Sequence, residues 1–299
     1  MDRTRSIPAW VWKVALAFSA AIWGSSFVVV KGALDNISPA WLLAMRFALT
    51  TVILSVLFRG TLRAHLDAGH VRKGIILGLA SSLGFITQFV GLAGTTPAKS
   101  AFLSAIYCVL TPFLNWAIVS RKPAGAHVGA ALLAITGIGF ISFGAGFSFT
   151  LNAGDLITLA AAFFFALHIV LVPRYAEGRD IMTLTIVQIA CSAVVALVWA
   201  LLFEVAPDFA HLDPGIWMAL AYIVIMASCI AMVVQNVGQA HVEPATAALL
   251  LSLESVFAAI LSVIFYHEQL TARLIIGFTL IFVAVVVSEA LPGLLERRR

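Results

Sequence analysis

Apolar residues run in long blocks along this chain, separated by short polar interruptions, and the blocks have the length of a bilayer crossing. About 20 residues of α-helix cover roughly 30 Å of hydrocarbon. Stretches of that kind lie near 11–31, 39–58, 74–93, 98–119, 125–144, 154–173, 182–203, 214–238, 245–266 and 272–290, so ten transmembrane helices are predicted. Pro39, Pro97 and Pro244 sit at first turns, where a missing N–H is harmless. Pro112 sits in mid-span after Thr111, where it makes either a static kink or a hinge.

The pattern is written twice. Gln88, Val90, Gly91, Ala93, Pro97, Ala98, Ala101 and Leu103 recur 147 residues later as Gln235, Val237, Gly238, Ala240, Pro244, Ala245, Ala248 and Leu250, without a gap. A weaker alignment at an offset of 142 sets Trp23, Ser26 and Arg46 against Phe165, His168 and Gln188. The change of offset implies a longer loop between the seventh and eighth spans, where Glu204, Pro207, Asp208, His211 and Asp213 lie. Residues 1–146 are therefore read as a first five-helix repeat and 147–299 as a second, linked through the uncharged segment 143–154. An odd number of spans makes the second copy enter the bilayer from the opposite side. The expected fold is an all-α integral membrane protein of two inverted repeats in one compact unit, with a site between them, as suits a carrier.

Composition agrees. The chain is 62% hydrophobic and only 11% charged, with a mean hydropathy of +1.06, whereas soluble domains are about half apolar and a quarter charged. Ten spans put both termini on one side, and the segments on that side carry fourteen basic residues against Lys31, Lys99 and Arg273 opposite. The positive-inside rule then makes both termini cytoplasmic, in a plasma (inner) membrane. The pI of about 9.2 follows from this anchoring; with no basic stripe interleaved with aromatics, a nucleic-acid partner is not expected. The first apolar run continues to Val30 and is read as a retained helix, not a signal peptide. Cys108, Cys191 and Cys229 lie inside spans without metal-type spacing, so no disulfide, metal or cofactor is expected. In the fifth span, Gly125, Gly129, Leu133 and Gly137, with Ala130 and Ala134 beside them, make either an internal packing seam or a dimer face. A monomer is expected, because one chain already carries both copies.

Polar rows inside spans mark protein or water rather than lipid. Ser100, Ser104, Tyr107, Thr111 and Asn115 share one face of the fourth span; Ser81, Phe85 and Gln88 line the third, and Ser228, Met232, Gln235 and Gln239 the eighth. Ser19, Trp23 and Ser26, and Thr158, Phe165 and His168, do the same on the first and sixth. Gln88 and Gln235 offer donors and acceptors suited to a small zwitterion, or else glue helices together. Glu254, the acidic residue deep in a span, either couples transport to protons or ties its helix to a neighbour. Arg46 is its partner, an anion clamp or a snorkelling side chain. His168 either titrates in function or hydrogen-bonds quietly. The candidate substrate-binding set is Trp23, Ser26, Phe85, Gln88, Ser104, Tyr107, His168, Met232, Gln235 and Glu254.

Trp23-Gly24-Ser25-Ser26-Phe27, the run from Pro97 through Leu103 to Tyr107, and the run from Ala247 to Phe257 resemble the EamA family of the drug/metabolite transporter superfamily, across the whole chain. Among its members the chain is similar to YddG-type amino-acid exporters. It departs from the family pattern at Ser255, where proline often follows the glutamate, and at His168, where an aromatic such as tyrosine is common. The resemblance implies export of small metabolites, amino acids including aromatic ones, through a central cavity between spans 1–4 and 6–9, with spans 5 and 10 as scaffold. No phosphate-cradling G-x-x-x-x-G-K-[ST] motif is present, which leaves proton antiport or facilitated diffusion. Two rival classes stand beside the carrier: a membrane-embedded enzyme using His65, Asp67 and His70, and a non-transporting assembly factor.

Overall fold

The fold is that of a computed structural model, which describes residues 8–120, 122–123, 125–142, 152–267, 271–273, 275–277, 279–280, 282–284 and 287. The linker 143–151 and both extreme termini, with several of the basic residues used for topology, lie outside the described residues. Every regular element described is helical: α1 (Ala9–Leu34), α2 (Pro39–Leu57), α3 (Arg59–His65), α4 (Ala68–Ala93), α5 (Pro97–Ser104), α6 (Tyr107–Val119), α7 (Gly125–Ser142), α8 (Ala153–Ala176), α9 (Ile181–Phe203), α10 (Pro214–Tyr222), a π-helical segment (Ile223–Ile230), α11 (Ala231–Gln239), α12 (Pro244–Leu251) and α13 (Leu253–Tyr266).

Eight segments are long and apolar enough to cross a bilayer, counting Pro97–Val119, Pro214–Gln239 and Pro244–Tyr266 as composites. The fifth and tenth predicted spans correspond to shorter apolar helices, Gly125–Gly137 and Ile275–Ala284. Large apolar side chains such as Val56, Leu201, Phe203 and Phe265 face outward, while Arg46, Gln88, Gln188, Gln235 and Glu254 are buried. This arrangement fits a lipid solvent, and the chain is an integral membrane protein.

Local chemistry sets the helix ends. Asp67, Thr96, Asn152, Asp180 and Asp213 each accept an N–H at the start of the helix that follows, and Asn152 and Asp155 form a reciprocal capping box. Prolines open α2, α5, α10 and α12. The carboxylate of Glu204, at the end of α9, accepts from Ala40 N–H (3.0 Å) and Trp41 N–H (3.2 Å) and so caps α2 from the second half of the chain.

The sequence repeat continues into the backbone. α5 and α12 begin and end 147 residues apart, and α6 and α13 both stop at non-glycine residues in the left-handed region, Ser120 (φ 57°) and His267 (φ 53°), again 147 apart. The predicted fourth and ninth spans are each broken, at Ala105–Ile106 and at Ser252, where Ala105 N–H reaches Ala101 O and Leu103 O and Ser252 N–H reaches Ala248 O and Leu250 O. Pro112 does not cause this break: it lies within α6, and the second copy breaks at the same place with Ala259 in the equivalent position.

α4 packs along α8 and α9, α1 against α13 and α11, and α2 against α9 and the π-helical segment. Glycines permit the closest approaches. A Cβ on Gly91 would lie 2.7 Å from Gly154 O on α8, and one on Gly24 would lie 2.6 Å from Glu254 O on α13. The seam expected on α7 is only half made. Ala130 and Ala134 are buried, but nothing lies within 4 Å of a Cβ on Gly125 or Gly129 among the described residues.

Candidate functional site

A narrow cavity sits between helices of both halves. Its wall contains Trp23, Ser26, Phe85, Gln88, Tyr107, His168, Gln235 and Glu254 from the sequence-derived set, together with Arg46, Phe27, Phe89 and Phe165. Two predicted residues stand off the wall. Ser104 lies behind Gln88 and accepts its Nε2–H at 3.2 Å, and Met232 is packed in the apolar core with Phe85.

Phe85 is the centre of the aromatic lining. Its ring meets those of Trp23 (6.0 Å), Phe47 (5.3 Å), Phe89 (6.4 Å) and Phe165 (5.2 Å) edge to face, and Phe165 continues to Tyr107 at 6.4 Å. Polar groups stand at both ends of this lining. Tyr107 donates its hydroxyl to Glu254 Oε1 at 3.1 Å; no cation pairs with that carboxyl among the described residues. At the other end Arg46, 1% exposed, donates Nε–H to Ser228 Oγ (2.6 Å) and Nη2–H to Ala227 O (3.4 Å). Its guanidinium carbon lies 5.1, 4.9 and 5.8 Å from the ring centres of Phe47, Phe85 and Phe89. Arg46 is therefore neither the ion-pair partner of Glu254 nor a snorkelling residue. Ala227 O also accepts Trp23 Nε1–H at 2.9 Å, which fixes that indole beside the cavity.

Of the two amides, Gln88 is engaged by Ser104, while Gln235 Oε1 has no hydrogen-bond partner among the described residues, and nor has His168 Nε2. The equivalent of Arg46, Gln188, accepts Asn236 Nδ2–H at Oε1 (3.1 Å) away from the cavity wall.

Polar clamps close both ends of the α4–α8 pair. At one end Asp155, fully buried, accepts Lys99 Nζ–H (2.5 Å) and Thr95 Oγ1–H (2.8 Å). At the other, Arg179 Nη1 donates to both oxygens of Asp67 (2.8 and 2.9 Å), and His70 Nε2 accepts Asp180 N–H at 3.1 Å. With Nε2 an acceptor, Nδ1 carries the ring proton and donates to Asp67 Oδ1 at 3.0 Å. The His70 backbone N–H, then its ring, and the nearby Arg179 hold the Asp67 carboxyl well below its ordinary value, at about 2. Asp67 and His70 are thus joined in an inter-helix clamp, and His65 Nδ1 lies against Thr61 O at 3.1 Å. No group of three or more His, Cys, Asp or Glu suited to a metal is found among the described residues.

Sequence reasoning missed the Lys99–Asp155 clamp because it counted Lys99 only as a basic residue of a connecting segment and gave Asp155 no role. The signal was present in Asn152-x-x-Asp155, which marks a capping carboxylate that also faces inward. The π-helical segment that presents Ser228 had no sequence signal.

The model of the EamA-like transporter family matches residues 10–143 and again 152–289. An uncharacterized transporter of Archaeoglobus fulgidus is 31% identical over 92% of this chain and 84% of its own length. The uncharacterized transporter YyaM of Bacillus subtilis is 24% identical over 80% of this chain and 81% of its own. A solved crystal structure superposes with a TM-score of 0.75 over 94% of this chain and 97% of that one, at 18% identity, a likeness of fold. Two successive matches covering most of the sequence, on a fold of apolar membrane-length helices, establish that the chain belongs to the EamA-like transporter family.

Proposed function

We propose that this membrane transporter is a secondary exporter of small metabolites, amino acids including aromatic ones, working by alternating access between two inverted five-helix repeats with both termini in the cytoplasm. The observation that carries the proposal is the pairing of equivalent positions on one cavity wall: Gln88 with Gln235, Tyr107 with Glu254, Trp23 with Phe165 and Ser26 with His168. A site shared so evenly by two halves suits a carrier whose halves exchange roles as it opens to one side and then the other. The two family matches and the 147-residue recurrence of helix ends support the duplication.

In this reading Gln88 and Gln235 hydrogen-bond the polar end of the substrate, the Phe85–Phe165 wall receives its apolar body, and Glu254 is the candidate proton carrier. Pro112 remains a candidate hinge beside the Ala105 break.

Proteoliposomes loaded with labelled phenylalanine or threonine, with and without a pH gradient, test the proposal. Flux that falls on Gln88→Ala and Gln235→Ala is expected. Flux indifferent to the gradient and retained by Glu254→Gln would remove the proton role, and absence of flux would return the chain to the assembly-factor class. Reporter fusions at each terminus check the topology.

A further inference from the structure

We infer that Arg46 is an anion receptor in the cavity: it takes the carboxylate of a small organic acid whose apolar body lies against Phe85 and Phe165, so substrates are selected by their carboxylate and not by an ammonium group. The inference rests on the transport reading for what the site accomplishes, though binding alone tests it.

Burial is the first argument. A guanidinium carries five N–H donors and stays charged. Here Nε–H meets Ser228 and one Nη2–H meets Ala227, and the remaining donors, both on Nη1 included, meet no acceptor among the described residues. No carboxylate among them pairs with Arg46, and Glu254 is hydrogen-bonded to Tyr107 instead. The three surrounding rings offset part of the burial through their faces, but no countercharge among the described residues completes the offset. An anion entering the cavity, on whose wall Arg46 stands, completes the set. A carboxylate matches the planar fork with two parallel hydrogen bonds.

The second argument is asymmetry. Where the two halves otherwise match, this place differs: the residue equivalent to Arg46 is Gln188, hydrogen-bonded to Asn236, and the stretch equivalent to the π-helical Ile223–Ile230 lies in the regular helix α4. Ser228 Oγ donates to Ile223 O, five residues back, at 2.9 Å, which leaves its lone pairs to receive Arg46 Nε–H. Ala227 O, in the same segment, orients both Arg46 and Trp23. The helix distortion therefore aims the guanidinium, as π-helical insertions commonly serve sites.

The test is equilibrium binding to the purified full-length protein in detergent, using three probes of like size: L-phenylalanine, 3-phenylpropionate and phenethylamine. The first two are expected to bind and compete with one another, and the third not to. Arg46→Gln, which installs the residue of the other half, is expected to weaken both carboxylates by roughly 30-fold or more. Arg46→Lys, which keeps the charge and loses the fork, should fall between. Binding of phenethylamine in preference to phenylpropionate, or failure of the wild-type protein to bind either carboxylate, would overturn the inference without needing any variant to fold. Carboxylate binding unchanged in a monodisperse Arg46→Gln protein would overturn it too. If proteoliposomes carry phenethylamine alone, the anion receptor falls while transport stands; if they carry nothing although phenylpropionate binds through Arg46, transport falls and the receptor stands.

Discussion

Tyr107 and Glu254 stand at equivalent positions of the duplicated sequence, 147 residues apart, and hydrogen-bond to each other at 3.1 Å. The contact is buried and lies on the wall of the cavity, so it joins the two stretches of sequence that the 147-residue offset relates.

Tyr107→Phe should lower the stability of the detergent-solubilised protein by about 1–3 kcal/mol, because it leaves a buried carboxyl without its hydrogen bond. Glu254→Gln retains an acceptor oxygen and should melt closer to wild type, yet abolish any response of flux to a pH gradient. Thermal melting beside gradient-driven uptake separates the structural role from the proton role.

Gly24→Ala brings a Cβ to 2.6 Å from Glu254 O and 2.9 Å from Ala258 N, backbone atoms that cannot swing aside. A loss of about 1–3 kcal/mol is expected, with reduced flux, since the shift is passed to Glu254. Gly129→Ala, with nothing within 4 Å of the new Cβ among the described residues, should instead gain roughly 0.5–1 kcal/mol from helix propensity. Paired melts decide the contrast.

Asp155→Ala removes a fully buried carboxylate and strands Lys99, Thr95 and the Asn152 N–H together. A destabilisation of about 3 kcal/mol is expected, read as a lower melting temperature and faster proteolysis between α4 and α5.

The opposite clamp is pH-dependent with a definite sign. The folded Asp67 carboxyl titrates at about 2, below the ordinary value of about 3.9. Its stabilisation is complete above that ordinary value and is lost as pH falls through the folded one. Asp67→Asn keeps the helix cap but not the charge; it should melt below wild type at pH 7, and the two curves should converge toward pH 2.

Much of this was legible in the chain. Apolar block length gave the helices, rows at helical spacing found Gln88, Tyr107, His168 and Gln235, and an acidic group deep in a span found Glu254, because a polar side chain in lipid must face inward. Ser104 and Met232 were placed on the right faces, but a face is wider than a cavity: Ser104 is covered by Gln88, and Met232 turns into packing. Arg46 was left among three readings because its partner, Ser228, comes from a segment 182 residues away whose π-helical register carries no pattern. The breaks at Ala105 and Ser252 were unseen for a similar reason. Neither has a glycine or proline at the break, so no helix-breaking residue marks it.

The span of these contacts governs how the protein is made. Arg46, Lys99 and the face of α4 reach the membrane early in synthesis, whereas Ser228, Asp155 and α8 have yet to leave the ribosome. The nascent first half therefore holds Lys99 without Asp155 until translation is past the midpoint, and Arg46 without Ser228 until it is nearly complete. It follows that the insertion machinery must shelter that half, and that a stop codon beyond the midpoint should yield a fragment destined for degradation, not a working half-carrier.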